Sequence, residues 1–126
     1  MTVIPELFAR GTAVRTEVLG QAHVERAREA ATAFTEDFQT HITQHAWGAV
    51  WTRPGLDRKT RSMLTIALLA ALGHHEELKL HVRATRHTGV SPDEVKEILL
   101  QVAVYAGVPA ANTAFGLARE TYGEAT

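Results

Sequence analysis

The chain has 126 residues, a length typical of one domain, and its thirteen basic and fourteen acidic side chains give a formal charge of −1. This near balance gives no reason to expect a nucleic acid or an anionic membrane as partner. The absence of cysteine excludes disulfides, thiolate catalysis and zinc–thiolate sites.

The start of the chain and its apolar runs predict a soluble, cytoplasmic protein. The first residues, MTVIPELFARG, lack the basic region and apolar core of a secretory signal. The longest apolar run, at 63–72, is about half of the roughly 20 residues that a membrane-spanning helix needs.

Apolar residues recur with a period of about 3.6 and without the alternation of strands, so the fold is predicted to be all-α. A first helix is predicted over 6–19, although Gly11 weakens it and Gly20 is a natural end. Residues 23–33 form either a polar helix or an extended surface arm.

A break separates two predicted helices in the middle of the chain. Thr35 is expected to cap a helix over 36–47, and Pro54 with Gly55 ends any helix before them. The next helix, over 58–72, is apolar on nearly all sides and is therefore predicted to be the buried central helix.

The second half of the chain contains three further predicted helices. The first follows Gly73 and lasts until Gly89. The segment Ser91-Pro92-Asp93-Glu94 predicts a capping box that opens the second. Gly107 and Pro109 are expected to end it, and a last helix is predicted over 110–122.

Three ionisable side chains share one face of the helix that follows Gly73. His74, Glu77 and His81 lie at i, i+3 and i+7, and the last two are neighbours one turn apart. An imidazole beside a carboxylate can act as acid or base near neutral pH. The alternatives are a solvated surface pair or a three-ligand metal site, although the spacing matches no zinc-enzyme motif.

Cations and aromatic residues surround the start of the helix over 58–72. Guanidinium groups there are either a solvated helix end or carboxylate ligands, because their fork matches a carboxylate. Two tryptophans before the break either pack in the core or form an aromatic pocket wall. The arginines and tryptophans concerned are Arg53, Arg58, Arg61, Trp47 and Trp51.

Four stretches in combination resemble the carboxymuconolactone decarboxylase family, within the alkylhydroperoxidase D-like superfamily. They are WGAVWTRPGLDRKTRS, EELKLHVRA, TGVSPDEVKEILLQ and YAGVPAAN. The peroxidase branch of that superfamily has a Cys-x-x-Cys followed four residues later by His. With His81 at that histidine, His74 and Glu77 occupy the cysteine positions, so thiol chemistry is excluded and the cofactor-free decarboxylase branch is favoured.

The resemblance implies a helical bundle of about six or seven helices in a ring-like homo-oligomer, often a trimer or hexamer, with sites close to subunit boundaries. It implies one domain over 1–126, with an N-terminal helical arm at 1–33 and a core at 34–122. The implied reaction is the decarboxylation of 4-carboxymuconolactone to the 3-oxoadipate enol-lactone in protocatechuate breakdown, with neither cofactor nor metal.

The resemblance and the chemistry together suggest roles for individual residues. His81 is expected to donate the proton or hold the oxyanion, and Glu77 to orient it. Arg53, Arg58 and Arg61 are candidates for binding carboxylates. The remaining expected substrate contacts are His74 and a wall of Trp47, Trp51 and Tyr105. A related lyase for another small lactone or keto acid, or a non-catalytic helical oligomer, remain the alternatives.

Overall fold

The computed structural model describes residues 1–124, which form seven α-helices and one π-helix and contain no strand. The α-helices are α1 (Pro5–Leu19), α2 (Gln21–Ala30), α3 (Glu36–Ile42), α4 (Arg58–Leu72), α5 (His75–Thr88), α6 (Pro92–Tyr105) and α7 (Val108–Gly123). The π-helix, Thr43–Gly48, continues directly from α3. The predicted all-α class is confirmed, and residues 23–33 lie largely in a helix rather than an extended arm.

The chain divides into two compact units, Met1–Asp57 and a second that begins at Arg58. We call them the N-terminal unit, with α1 to α3 and the π-helix, and the C-terminal unit, with α4 to α7. The single domain expected from the length stays a prediction.

The N-terminal unit is built on the contact of α1 with the π-helix. A Cβ at Gly11 would lie 1.9 Å from the carbonyl oxygen of Thr43, and one at Gly48 would lie 2.5 Å from that of Leu7. Only glycine permits this approach of two backbones. Gly11, which by propensity weakens α1, is therefore required by its packing.

The predicted helix over 36–47 is correct in position but wrong in its cap and its form. The side chain of Thr35 makes no capping bond to α3. Its hydroxyl instead accepts a 2.9 Å hydrogen bond from the backbone N–H of Thr32. From Thr43 onward the hydrogen bonding becomes π-helical, in the segment that packs against α1.

The C-terminal unit has one apolar core, to which all four of its helices contribute. Ile66 of α4, Leu78 of α5 and Leu99 of α6 are almost completely buried, together with Ala114 and Ala118 of α7. The small side chains on α7 allow that helix to approach α5 and α6 closely.

The prediction that α4 is buried on nearly all sides is wrong for this chain. Its core face consists of Ser62, Ile66 and Ala70, whereas Leu64, Leu68 and Leu72 are 49%, 60% and 68% exposed. The reason is geometric, since α5, α6 and α7 cover only one side of α4 in this unit. The exposed leucines and the exposed Val104, Tyr105 and Val108 form what we call the apolar surface.

Helix ends in the C-terminal unit follow the local signals, with one exception. Ser91 and Glu94 form the predicted capping box, with both reciprocal hydrogen bonds present. Pro109 does not end α6, because α6 stops at Tyr105 and Pro109 lies in the first turn of α7, where its missing N–H costs no helical bond. No helix within residues 1–124 combines the length and apolar character that crossing a membrane requires.

Candidate active site

His81 is a buried ionisable residue in the middle of α5, with 8% of its surface exposed. Two ion pairs attach α5 to α7 and to the residue that follows it: Lys79 to Glu120 at 3.1 Å, and Arg83 to Glu124 at 2.8 Å. The hydrogen bond from Arg83 lowers the pKa of the Glu124 carboxyl. These pairs lie two residues either side of His81, so they help to hold α5 in place around it.

The other neighbour of α5 is α4, and a buried hydrogen bond joins the two helices. Thr88 donates to the side-chain oxygen of Ser62 at 2.9 Å. The tight connection at Gly73 reverses the chain, so the start of α4 lies beside the end of α5. His81 is seven residues before Thr88, which places it about 10 Å along α5 from this contact.

Glu77 was expected to orient His81 and His74 to contact the substrate, and both lie in more exposed positions. Glu77 is on the same face of α5, one turn earlier, and His74 precedes the first turn. Within residues 1–124 the carboxylate of Glu77 makes no hydrogen bond or ion pair. The orienting contact from Glu77 to His81 is therefore not formed, and its role stays a prediction.

Arg58 and Arg61 lie in the first turn of α4 and are half-buried. That turn contains no acidic residue, so the two guanidinium groups add positive charge at the positive end of the helix dipole. Their neighbour Lys59 is paired with Glu94 of α6 at 2.9 Å. Asp57 immediately precedes the turn, so three cations lie beside two carboxylates here, and the remaining excess of positive charge favours a bound carboxylate.

Three of the expected substrate contacts belong to the N-terminal unit. Trp47 and Trp51 stack with ring centroids 4.8 Å apart and an angle of 28° between the planes. Trp47 is buried, which favours core packing, whereas Trp51 is half-exposed. Arg53 follows them and is exposed.

Tyr105 does not lie with His81 within the C-terminal unit. It is 84% exposed and lines a groove of about 630 Å³ between α4 and α6, and His81 does not line that groove. The walls are mainly apolar, with Leu64, Leu68 and Ile98 among them. Tyr105 therefore belongs to the apolar surface.

The possible three-ligand metal site has no support from geometry. In the described part of the chain, no three histidine, aspartate or glutamate side chains come together as metal ligands. His74, Glu77 and His81 share a helix face, but only His81 is directed into the protein.

Two features were missed by reasoning from sequence. One is the Ser62–Thr88 bond, since the two residues stand at the edges of two different motifs and nothing in the sequence pairs them. The other is a cavity of about 470 Å³ in the N-terminal unit, lined by Arg15. Arg15 is four residues after the buried Gly11 and three before the buried Val18, so its place on the core face of α1 was a usable signal.

Comparison with known proteins places the chain among its relatives. Residues 36–120 match the carboxymuconolactone decarboxylase family. The chain is 50% identical over 115 residues to the 4-carboxymuconolactone decarboxylase of Acinetobacter baylyi, covering 91% of this chain and 86% of that protein. It is 45% identical over 115 residues to the nitrosuccinic acid decarboxylase npaB of Metarhizium robertsii, covering 91% of this chain and 80% of that protein. The chain therefore belongs to the carboxymuconolactone decarboxylase family, as its motifs predicted.

Proposed function

We propose that the protein is a carboxy-lyase that converts 4-carboxymuconolactone to the 3-oxoadipate enol-lactone during the breakdown of aromatic compounds. The observation that carries the proposal is the 50% identity, over 91% of this chain, to a protein named for this activity. The buried His81, between helices held by specific bonds, is consistent with it.

The chemistry of the substrate explains how protein side chains can catalyse its decarboxylation. The carbon that loses CO2 is conjugated through a double bond to the lactone carbonyl, so the electrons left behind spread into the ring as a dienolate. The protein must hold the carboxylates, stabilise the new oxyanion and deliver one proton to carbon. Preorganised donors and a general acid meet these needs.

Within the C-terminal unit, the arrangement of α4 and α5 supports a division of these tasks. His81 is the proton donor or oxyanion partner, because it is the buried ionisable group of α5. Arg58 and Arg61 are carboxylate ligands, because their charges concentrate at the start of α4. At the exposed end of α5, Glu77 orients His81 and His74 contacts the substrate. Arg53, Trp47 and Trp51 stay proposed substrate contacts, and so does Tyr105, although it does not lie with His81 in the single chain.

Decarboxylation of nitrosuccinic acid is a second candidate function, favoured by the 45% identity to the nitrosuccinic acid decarboxylase. Loss of CO2 beside a nitro group leaves an electron pair that spreads into that group as a nitronate. The same catalytic tasks apply, since a dianionic acid loses one carboxylate and the remaining carbon receives a proton. The difference lies in the shape of the group that accepts the electrons.

We also propose that the protein is a cytoplasmic homo-oligomer, a trimer or hexamer, and that the apolar surface lies between subunits. Leu68, Leu72, Val104, Tyr105 and Val108 are each at least 60% exposed in the single chain. Leu64, Leu68 and Tyr105 line one groove, and exposed apolar residues of this number are typical of a surface that another protein covers.

The experiment compares both acids as substrates of the purified protein. 4-Carboxymuconolactone is generated in place and followed in the ultraviolet, with and without a chelator, and nitrosuccinic acid is supplied separately. We expect rapid turnover of the lactone that a chelator does not change and that His81→Asn lowers by about 10²–10⁴-fold. His87→Asn, an exposed histidine of the same helix, is the matched control.

The outcomes separate the candidates. Preferred turnover of nitrosuccinic acid would replace the first function by the second. Turnover of neither acid by a folded, oligomeric sample would contradict both. Full activity in His81→Asn would remove His81 from the mechanism without affecting the choice of substrate.

A further inference from the structure

The N-terminal unit contains a cavity of about 470 Å³ that the proposed catalysis does not use. α1, α2, α3 and the segment between α2 and α3 contribute its walls, together with Thr43 at the start of the π-helix. Its volume lies within the range of small-molecule sites. None of the expected catalytic or substrate-binding residues lines it.

One half-buried cation, Arg15, faces this cavity, and its charge is poorly compensated. Its terminal Nη1 donates to Gln39 Oε1 at 3.2 Å and to Thr43 Oγ1 at 3.4 Å, and both acceptors are neutral and distant. Its Nε is buried and has no acceptor among residues 1–124. Burial lowers the pKa of the Arg15 guanidinium, because no carboxylate offsets the loss of water.

The other walls combine apolar surface with hydroxyl groups. Phe8, Val24, Ala27 and Ala31 form the apolar part, and Thr12 and Thr40 add hydroxyls that can donate or accept hydrogen bonds. The two other charged side chains of the cavity, Arg28 and Glu36, are exposed and of opposite sign. Their charges offset one another, so the positive charge of Arg15 makes the cavity favour an anionic ligand.

A carboxylate is a better acceptor for this guanidinium than the amide and hydroxyl oxygens that it contacts now. Charge-assisted hydrogen bonds are shorter and roughly twice as strong as neutral ones. We propose that this cavity is a second binding site of the protein, which takes a small monocarboxylate with an apolar body and pairs it with Arg15. The apolar body lies against Phe8 and Val24, where it displaces water from apolar surface.

The test is calorimetric titration of the intact protein with three probes: benzoate, its neutral analogue benzyl alcohol, and inorganic phosphate. We expect saturable binding of benzoate, no measurable binding of benzyl alcohol, and weaker binding of phosphate, which lacks an apolar body. Equal binding of benzyl alcohol or of phosphate would overturn the proposed ligand class. Absence of benzoate binding in the millimolar range would overturn the site.

Two variants assign the binding to the cavity. Arg15→Met is expected to weaken benzoate binding roughly tenfold or more, and Arg26→Met, an exposed arginine outside the cavity, to leave it unchanged. Ala27→Leu fills the cavity without removing Arg15, and it should weaken binding even if Arg15→Met fails to fold. Unaltered binding in a folded Arg15→Met or in Ala27→Leu would overturn the proposal. The test measures binding rather than turnover. A failure of the second-site proposal can therefore be distinguished from a failure of the proposed decarboxylation.

Discussion

Thr88 donates a 2.9 Å hydrogen bond to the side-chain oxygen of Ser62, and both side chains are buried. The bond joins the end of α5 to the start of α4, the two helices that carry His81, Arg58 and Arg61. It therefore connects the proposed proton donor to the proposed carboxylate ligands through the framework of the C-terminal unit.

Ser62→Ala is expected to destabilise the protein by about 1–3 kcal/mol, because it removes the acceptor of the buried Thr88 hydroxyl. The double variant Ser62→Ala/Thr88→Val removes both polar groups and should recover much of this loss. Urea unfolding at a fixed protomer concentration measures both. Additive losses in the double variant would contradict a direct interaction.

Glu77→Gln tests whether this carboxylate supports His81. We expect a lower kcat in the lactone assay, because loss of the charge one turn from His81 weakens the stabilisation of an imidazolium. Glu76→Gln is the matched control, since Glu76 is equally an exposed glutamate of the first turn of α5. Equal kcat values in Glu77→Gln and Glu76→Gln would show that Glu77 is a solvated surface residue that does not support His81.

Gly11→Ala is expected to destabilise the N-terminal unit by at least the roughly 1–3 kcal/mol typical of overpacking. The added Cβ would lie 1.9 Å from a backbone oxygen, which cannot move aside as a side chain can. Gly116→Ala in α7 is the control, because nothing lies within 4 Å of its Cβ position. That change should stabilise by about 0.5–1 kcal/mol through helix propensity. A neutral Gly11→Ala, measured by thermal unfolding, would refute the close contact.

Glu94 should contribute a pH-dependent part of the stability. The backbone N–H of Ser91 and the side chain of Lys59 lower the pKa of the Glu94 carboxyl. Because the pKa is lower in the folded state, the contribution is complete above the ordinary glutamate value of about 4.3 and is lost as pH falls through the folded-state pKa.

Melting temperatures of the wild type and Glu94→Gln should therefore differ at neutral pH and converge as the pH falls below the ordinary pKa of a glutamate. Glu97→Gln, an exposed glutamate of the same helix, supplies the control and should differ little from the wild type at either pH. A Glu94→Gln difference that is constant with pH would show that its charge does not contribute.

Leu68→Glu tests the apolar surface as a subunit interface. Leu68 is 60% exposed in the single chain, so a carboxylate there should leave the folded subunit intact but be costly once buried between subunits. We expect sedimentation to show smaller species than for the wild type. Thr113→Glu, at an exposed position of α7, introduces the same charge outside the apolar surface and should not change the assembly. Unchanged assembly of Leu68→Glu would place the interface elsewhere.

Much of the fold could be predicted because it depends on neighbours along the chain. The bounds of α4 follow from its apolar periodicity and the break before it. The start of α6 follows from the Ser91–Glu94 capping box, whose two residues are three apart. Family membership could also be predicted, since the four motifs in combination are specific to the carboxymuconolactone decarboxylase family. Local signals failed at Thr35, because a hydroxyl can bond to more than one nearby backbone group and the chosen partner depends on the preceding turn.

Sequence by itself thus determined the helical class, the family and the position of His81 on a helix face. Only the tertiary structure decided which faces are covered, because burial depends on helices that are distant along the chain. It left Leu68 exposed where an all-round apolar pattern predicted burial, and it made Gly11 a point of backbone contact. It also left Glu77 exposed and gave Arg15 a half-buried place beside a cavity. Each of these outcomes follows from long-range packing, which a period of 3.6 residues does not specify.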